Sequence, residues 1–219
     1  MYLSGFCFIT DPKASNLSFE DMTIRVLKGG VKWVQHRDKV RSKRKIYEEA
    51  VRLRSLTKDF KAVFIVNDYV DIAFCVNADG VHLGQDDLPL KEARRILGKK
   101  KIIGISTHDL EQAIKAERDG ADYIGFGPVF RTMTKDAGEP KGTDMLREVK
   151  TKVKIPVVAI GGINLENIRL VLDTGIEAVA VASAILAGDI EDNVRRFVDI
   201  IRAHHLSFRP RTKYRGGIS

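Results

Sequence analysis

Eight short apolar segments alternate with stretches of helical character, and this alternation predicts an α/β fold. Their number within a chain of 219 residues favours a single closed (β/α)8 TIM barrel. Several segments, such as residues 157–160, are continuously apolar, which is typical of parallel strands covered on both faces. An open doubly wound sheet remains as the alternative architecture until the motifs are considered.

The predicted strands and the signals between them follow a regular period. The strands are expected at 6–10, 31–37, 62–67, 80–83, 102–106, 123–130, 157–161 and 178–182. Ser18 is suited to begin a helix, and the pair Gly29 and Gly30 to end it. Asn164 and Gly175 are suited to begin and end another. Helices therefore fill the gaps between the strands.

The domain organisation is simple. Residues 1–206 are predicted to form one catalytic barrel, since no Gly/Ser-rich linker divides them. Residues 207–219 carry four basic side chains, at Arg209, Arg211, Lys213 and Arg215, without an amphipathic period. This composition predicts a flexible basic tail.

Charge and composition restrict the partners. The net charge is +8, but the 37 Lys and Arg residues are spread along the chain among 29 acidic ones. This distribution disfavours a nucleic-acid partner, whereas a positive cleft would suit small phosphorylated molecules. No run of about 18 apolar residues occurs, so no membrane span is expected. A homo-oligomer is compatible with the sequence.

The cysteines and the N-terminus indicate the compartment. Cys7 and Cys75 lie in apolar runs without metal-like spacing, so both are expected to be buried. Residues 1–10 lack the basic start of a signal peptide. A reducing cytoplasm is therefore the expected location.

Two carboxylates follow neighbouring predicted strands. Asp68 comes after the third strand and Asp87 after the fourth, at the end of a barrel where active sites lie. Two carboxylates, with phosphate oxygens and water, are a usual set of ligands for Mg²⁺. The alternative is that each Asp caps a helix, and Asp87 before Leu88 and Pro89 fits that role.

Cations are predicted at the same end of the barrel. Arg37 and Lys39 follow the second strand and Lys135 follows the sixth, where they would suit a pyrophosphate. Strand alternation turns His36 to the opposite face from its neighbours Gln35 and Arg37. The sequence does not decide the roles of His82 and His108.

Glycines after the last two strands predict a phosphate cup. Gly161 and Gly162 permit close backbone approach, and Ala182 and Ser183 follow the eighth strand. A tight strand-to-helix turn is the structural alternative for the glycine pair.

From residue 6 to residue 187 the sequence resembles the thiamine phosphate synthase family. The matching motifs are QHRDK at 35–39, VND at 66–68, ADGVHLGQDD at 78–87, GIS at 104–106, DYIGFGPVF at 122–130, TMTK at 132–135, IGGI at 160–163 and ASAI at 182–185. The resemblance implies that a pyrimidine pyrophosphate and a thiazole phosphate, or its carboxylate, are joined with the help of Mg²⁺.

The resemblance also implies residue roles. Gln35 and Ser106 would meet the aminopyrimidine, and Asp68 and Asp87 would bind Mg²⁺. The pyrophosphate would be held by Arg37, Lys39, Asn67 and Lys135. The thiazole phosphate would be received by Thr132, Thr134, Gly162, Ala182 and Ser183. Catalysis would depend on Arg37, Lys39, Ser106 and Lys135.

The implied chemistry is the departure of pyrophosphate from a pyrimidine cation, which the thiazole nitrogen then attacks. The sequence departs from a common family form at His36 and Arg131. Two other functions stay open: a thiazole tautomerase, which would need no pyrophosphate site, and a noncatalytic sensor of phosphorylated ligands. The complete set of acidic and basic residues favours the synthase.

Overall fold

The computed structural model describes residues 4–13, 15–132 and 138–207, and it confirms the predicted barrel. Eight parallel strands close in chain order, with the last strand pairing with the first. The strands are β1 Gly5–Ile9, β2 Trp33–His36, β3 Val63–Asn67, β4 Gly80–Leu83, β5 Ile102–Thr107, β6 Tyr123–Phe126, β7 Val157–Ile160 and β8 Ala178–Val181.

A helix follows each strand. The helices are α1 Phe19–Lys28, α2 Lys43–Asp59, α3 Val70–Cys75, α4 Leu90–Leu97, α5 Leu110–Arg118, α6 Gly142–Lys152, α7 Ile168–Leu172 and α8 Ile190–Ser207, with a short 3-10 helix, Ser183–Ile185, between β8 and α8. None of the described helices combines the length and apolar character needed to cross a membrane.

Strand alternation divides the core into two layers. Phe6 of β1 points outward and stacks on Phe197 of α8, with ring centroids 5.2 Å apart. The next residue, Cys7, points inward and packs with Trp33 and Tyr123 inside the barrel. The interior is therefore filled by side chains, and it forms a floor below the ends of the strands.

Several predicted ends of elements are confirmed, and others are corrected. Ser18 begins α1 and accepts a hydrogen bond from the Asp21 amide, and Gly29 ends that helix. Strand β6 ends at Phe126 rather than at residue 130. Pro128 has no N–H with which to continue the ladder.

The seventh helix is shorter than predicted: it begins at Ile168, with Asn167 at the N-cap position. Asn164 still caps the turn that leads into it, because its Oδ1 accepts from the backbone N–H groups of Glu166 and Asn167. The C-cap is Asp173, and Gly175 lies beyond it with φ +84°. At the N-terminal end, Asn167 Oδ1 in turn accepts from the Asn164 backbone N–H over 2.8 Å, which completes a reciprocal pair of the capping-box type.

The prediction that both cysteines are buried is half right. Cys7 is buried inside the barrel, whereas Cys75 is exposed. Cys75 is the last residue of the short helix α3, whose buried residues are Val70, Ile72 and Ala73. An apolar run in a helix thus still leaves one side facing solvent.

Candidate functional site

A cavity of about 440 Å³ opens at the C-terminal ends of the strands. Eight of the predicted site residues line it: Gln35, Arg37, Asn67, Ser106, Thr132, Gly162, Ala182 and Ser183. They come from β2, β3, β5 and the segments after β2, β6, β7 and β8. The structure therefore brings together residues that lie up to about 150 positions apart, which core packing alone does not require.

The wall formed by β2 and β3 is polar and ordered. Gln35 Nε2 donates to Asn67 Oδ1 over 2.8 Å, which fixes the orientation of both amides. Within the described residues, this bond leaves the Gln35 carbonyl oxygen and the Asn67 amide group available to a ligand. The Arg37 backbone N–H donates to Thr10 Oγ1 over 2.9 Å, so the start of the charged loop is held to the end of β1.

The predicted metal carboxylates lie beside this cavity rather than in its lining. Lys39 Nζ is 3.4 Å from Asp68 Oδ2, and the Asp68 side chain is 16% exposed. Burial raises the pKa of Asp68 to about 6, a hydrogen bond with Asp87 adds to the rise, and the Lys39 charge opposes it. The two carboxylates are therefore close enough to interact, as a shared cation would require.

Backbone geometry supports a special role for Asp68. Its φ is +64°, a conformation that non-glycine residues rarely adopt, and its N–H donates to the His82 carbonyl over 2.8 Å. Such strain is concentrated at functional sites. Asp87 Oδ2 accepts from the Gly84 amide over 2.6 Å. The capping alternative for Asp87 is wrong, because α4 begins at Leu90 and is preceded by Pro89.

The donor set limits the kind of metal. Among the described residues, no group of three or more His, Cys, Asp or Glu side chains is placed to hold an ion. Two carboxylates alone are a weak site for zinc, but they suit Mg²⁺ completed by phosphate oxygens and water.

The glycine pair after β7 forms the opposite wall. Gly161 has φ +97° and Gly162 has φ +65°. A Cβ on Gly162 would lie 2.4 Å from the Arg131 carbonyl oxygen, so a side chain would displace the backbone there. The Asn167 amide donates to the Gly162 carbonyl over 2.9 Å and fixes the turn. The pair is a tight turn and a cavity wall at once.

Comparison with known proteins identifies the family of the chain. The family model described as TMP-TENI, thiamine monophosphate synthase, matches residues 6–185.

The chain belongs to the thiamine monophosphate synthase family.

Members of this family are similar over most of their length. The thiamine-phosphate synthase of Clostridium acetobutylicum is 47% identical over 177 residues, which cover 80% of this chain and 84% of that protein. The thiamine-phosphate synthase of Methanosarcina mazei is 43% identical over 199 residues, covering 90% and 82%. A solved structure, the thiamine phosphate pyrophosphorylase of Pyrococcus furiosus, superposes with a TM-score of 0.85 at 41% identity, covering 91% of this chain and 96% of that one.

Two members of the predicted set lie outside the described residues. They are Thr134 and Lys135, which belong to the thiamine monophosphate synthase motif at 132–135. Their expected contacts with the thiazole phosphate and the pyrophosphate stay predictions.

The histidines of this synthase-family barrel take different positions. As predicted, His36 faces the helices: Nδ1 is 3.3 Å from Thr10 Oγ1, and the ring packs edge-on against Phe19 at 5.0 Å. His82 and His108 both line the cavity. His108 Nδ1 is 2.7 Å from the Gly127 carbonyl oxygen, which orients the ring.

Sequence reasoning missed His82, although a signal was present. Val81 and Leu83 on either side of it are apolar and pack against the helices. By alternation, His82 between them points into the barrel. Trp33 and Tyr123 were missed as well; they line the cavity floor with ring centroids 5.1 Å apart. Interior aromatics cannot be told from ordinary core residues in a sequence.

Proposed function

We propose that the chain is a thiamine-phosphate synthase, a transferase that joins hydroxymethylpyrimidine pyrophosphate to thiazole phosphate or its carboxylate. The observation that carries the proposal is that one cavity gathers amide, guanidinium, hydroxyl and glycine groups from six segments of the barrel. The synthase-family relatives, at 43% to 53% identity, support the same activity.

The reaction divides the cavity between two substrates. The bond between the pyrimidine methylene carbon and the pyrophosphate oxygen breaks, and the electron pair leaves with pyrophosphate. The thiazole nitrogen then gives its lone pair to the methylene carbon, which forms the new C–N bond. When the acceptor is the carboxylate, its bond to the carboxyl group also breaks, CO2 leaves, and the ring carbon takes a proton from water. No proton needs to be removed from either reacting atom. The protein therefore has to neutralise charge, exclude water and hold the acceptor in line.

The residues on the β2 and β3 side suit the leaving group. Arg37 can offer two parallel N–H donors to phosphate oxygens, and Lys39 adds a mobile positive charge. Asp68 and Asp87 would hold Mg²⁺, which when bound neutralises charge that develops on the leaving pyrophosphate. A cation shared by these two neighbouring carboxylates would favour the ionised form of both.

The opposite wall suits the acceptor. Thr132 and Ser183 carry hydroxyl groups into the cavity, and Gly162 and Ala182 leave its backbone accessible. Small side chains beside hydroxyl groups are typical of a phosphate cup at this end of a barrel. Holding the thiazole by its phosphate would direct its nitrogen toward the pyrimidine on the other side.

The direct test is incubation of the purified protein with both substrates, with and without Mg²⁺. We expect thiamine phosphate and pyrophosphate in equal amounts, and only with Mg²⁺. Isomerisation of the thiazole carboxylate without coupling would instead support a tautomerase. Binding of phosphorylated ligands with neither reaction would support a sensor.

A further inference from the structure

Three polar side chains form a continuous hydrogen-bonded row from the barrel interior to the cavity. His82 Nδ1 is 2.9 Å from the Tyr123 hydroxyl oxygen, and His82 Nε2 is 2.9 Å from Ser106 Oγ. The ring of His82 fits there because residue 125 is glycine: a Cβ at that position would lie 3.0 Å from His82 Cε1. The row is therefore built into the packing of β4, β5 and β6.

The surroundings of this row disfavour a charged imidazole. His82 is 8% exposed, and within the described residues both of its ring nitrogens pair with hydroxyl groups and not with a carboxylate. A neutral imidazole has one N–H donor and one acceptor nitrogen. Two directions are then open: either Tyr123 donates to Nδ1 and Nε2–H donates to Ser106, or Ser106 donates to Nε2 and Nδ1–H donates to Tyr123.

The surroundings of the Tyr123 hydroxyl decide between these two hydrogen-bond directions. Tyr123 is 1% exposed, and within the described residues its hydroxyl has no hydrogen-bond partner besides His82. The phenol end also packs closely over Gly104, where an added Cβ would lie 2.5 Å from the hydroxyl oxygen. If Nδ1–H donated to Tyr123, the phenolic hydrogen would be buried without an acceptor, which is the costly arrangement.

We infer that the row runs outward: Tyr123 O–H donates to His82 Nδ1, His82 Nε2–H donates to Ser106 Oγ, and the Ser106 hydrogen is left to donate to a ligand. His82 and Tyr123 are thus positioning residues that make Ser106 a directed hydrogen-bond donor. The ligand atom that fits is an acceptor, such as an unprotonated ring nitrogen. Naming that ligand as the aminopyrimidine rests on the proposed function; the direction of the row does not.

Nitrogen NMR of protein labelled with ¹⁵N-histidine tests the direction without any substrate. We expect His82 to show the Nε2–H tautomer between pH 6 and pH 8, with its signals assigned by their loss in His82→Gln. An Nδ1–H tautomer or an imidazolium in the unsubstituted protein would overturn the inference. The expected tautomer in a protein that makes no thiamine phosphate would keep the inference and count against the proposed function.

Tyr123→Phe tests whether Tyr123 sets the His82 tautomer and, through Ser106, the binding of the pyrimidine pyrophosphate. The variant removes the donor that fixes Nδ1 as the acceptor, so we expect Nδ1–H signals to appear and the KM for the pyrimidine pyrophosphate to rise about tenfold. The KM for the thiazole phosphate should stay unchanged. Tyr47→Phe is the matched control, since Tyr47 is 42% exposed on α2. A Tyr123→Phe protein that keeps the Nε2–H tautomer and the KM for the pyrimidine would contradict the positioning role.

Discussion

The two walls of the cavity are both expected to hold phosphate groups, yet they consist of different kinds of residue. On the side formed after β2 and β3, Arg37 lines the cavity, and beside it Lys39 is paired to Asp68 at 3.4 Å. The side formed after β7 and β8 presents glycine, alanine and serine, with Gly161 and Gly162 at positive φ. Charged side chains can be neutralised without moving the backbone, whereas Gly161 and Gly162 cannot accept even one added methyl group without displacing their neighbours.

The largest effect is expected on the charged side. Asp68→Asn and Asp87→Asn each remove one negative charge from the proposed Mg²⁺ site while keeping an oxygen acceptor. We expect each to lower turnover at limiting Mg²⁺ by at least about a hundredfold, with little change in Tm. The measurement is turnover against Mg²⁺ concentration, together with thermal unfolding.

Asp86→Asn is the matched control, because Asp86 is exposed and adjacent to Asp87. Near-normal activity of both Asp68→Asn and Asp87→Asn at limiting Mg²⁺ would remove the pair from the mechanism. Loss of folding in Asp87→Asn would indicate that the negative charge of Asp87 serves the fold rather than a metal.

The next effect is expected on the backbone side. Gly162→Ala forces a side chain onto a residue with φ +65° and places its Cβ 2.4 Å from a carbonyl oxygen. We expect a loss in the free energy of unfolding larger than the ~1–3 kcal/mol typical of positive φ alone. The KM for the thiazole phosphate should rise more than the KM for the pyrimidine pyrophosphate.

Gly175→Ala separates the cost of backbone strain at positive φ from the cost of a steric clash. Gly175 has φ +84°, but an added Cβ there would meet nothing within 4 Å. Denaturant unfolding of the two variants gives the comparison. Equal losses of stability would show that the close approach at Gly162 is unimportant.

The smallest effect is expected from removing residues 208–219, which lie outside the described residues. Their removal would raise a KM value if either wall of the cavity used the positive charge of these residues to bind its substrate. Because the segment has little apolar content, we expect both KM values to stay unchanged and stability to shift by less than about 0.5 kcal/mol. A truncated barrel that unfolds normally but has lost turnover would show that the tail serves the site.

Strand alternation and strand order made much of the site predictable from the sequence. Gln35, Asn67 and Ser106 could be placed because parallel strands end at one face of a closed barrel. His36 could be excluded because neighbouring residues on a strand face opposite ways.

What could not be predicted depends on packing between distant segments. The row from Tyr123 through His82 to Ser106 needs the actual register of β4, β5 and β6. The start of α7 at Ile168 depends on the reciprocal side-chain bonds of Asn164 and Asn167 in the turn before it. Such local bonds leave little trace in an apolar pattern.

Steady-state kinetics of Lys135→Ala and Ser183→Ala, with each substrate varied in turn, tests the division of the cavity most directly. Lys135, beyond β6, is predicted to stabilise the leaving pyrophosphate, so its loss should lower kcat and raise the KM for the pyrimidine pyrophosphate. Ser183 shares its role with backbone N–H groups, so its loss should raise the KM for the thiazole phosphate by a smaller factor, about tenfold or less. The same substrate dependence in both variants, or the reverse one, would contradict the assignment of the pyrophosphate to Lys135 and of the thiazole phosphate to Ser183.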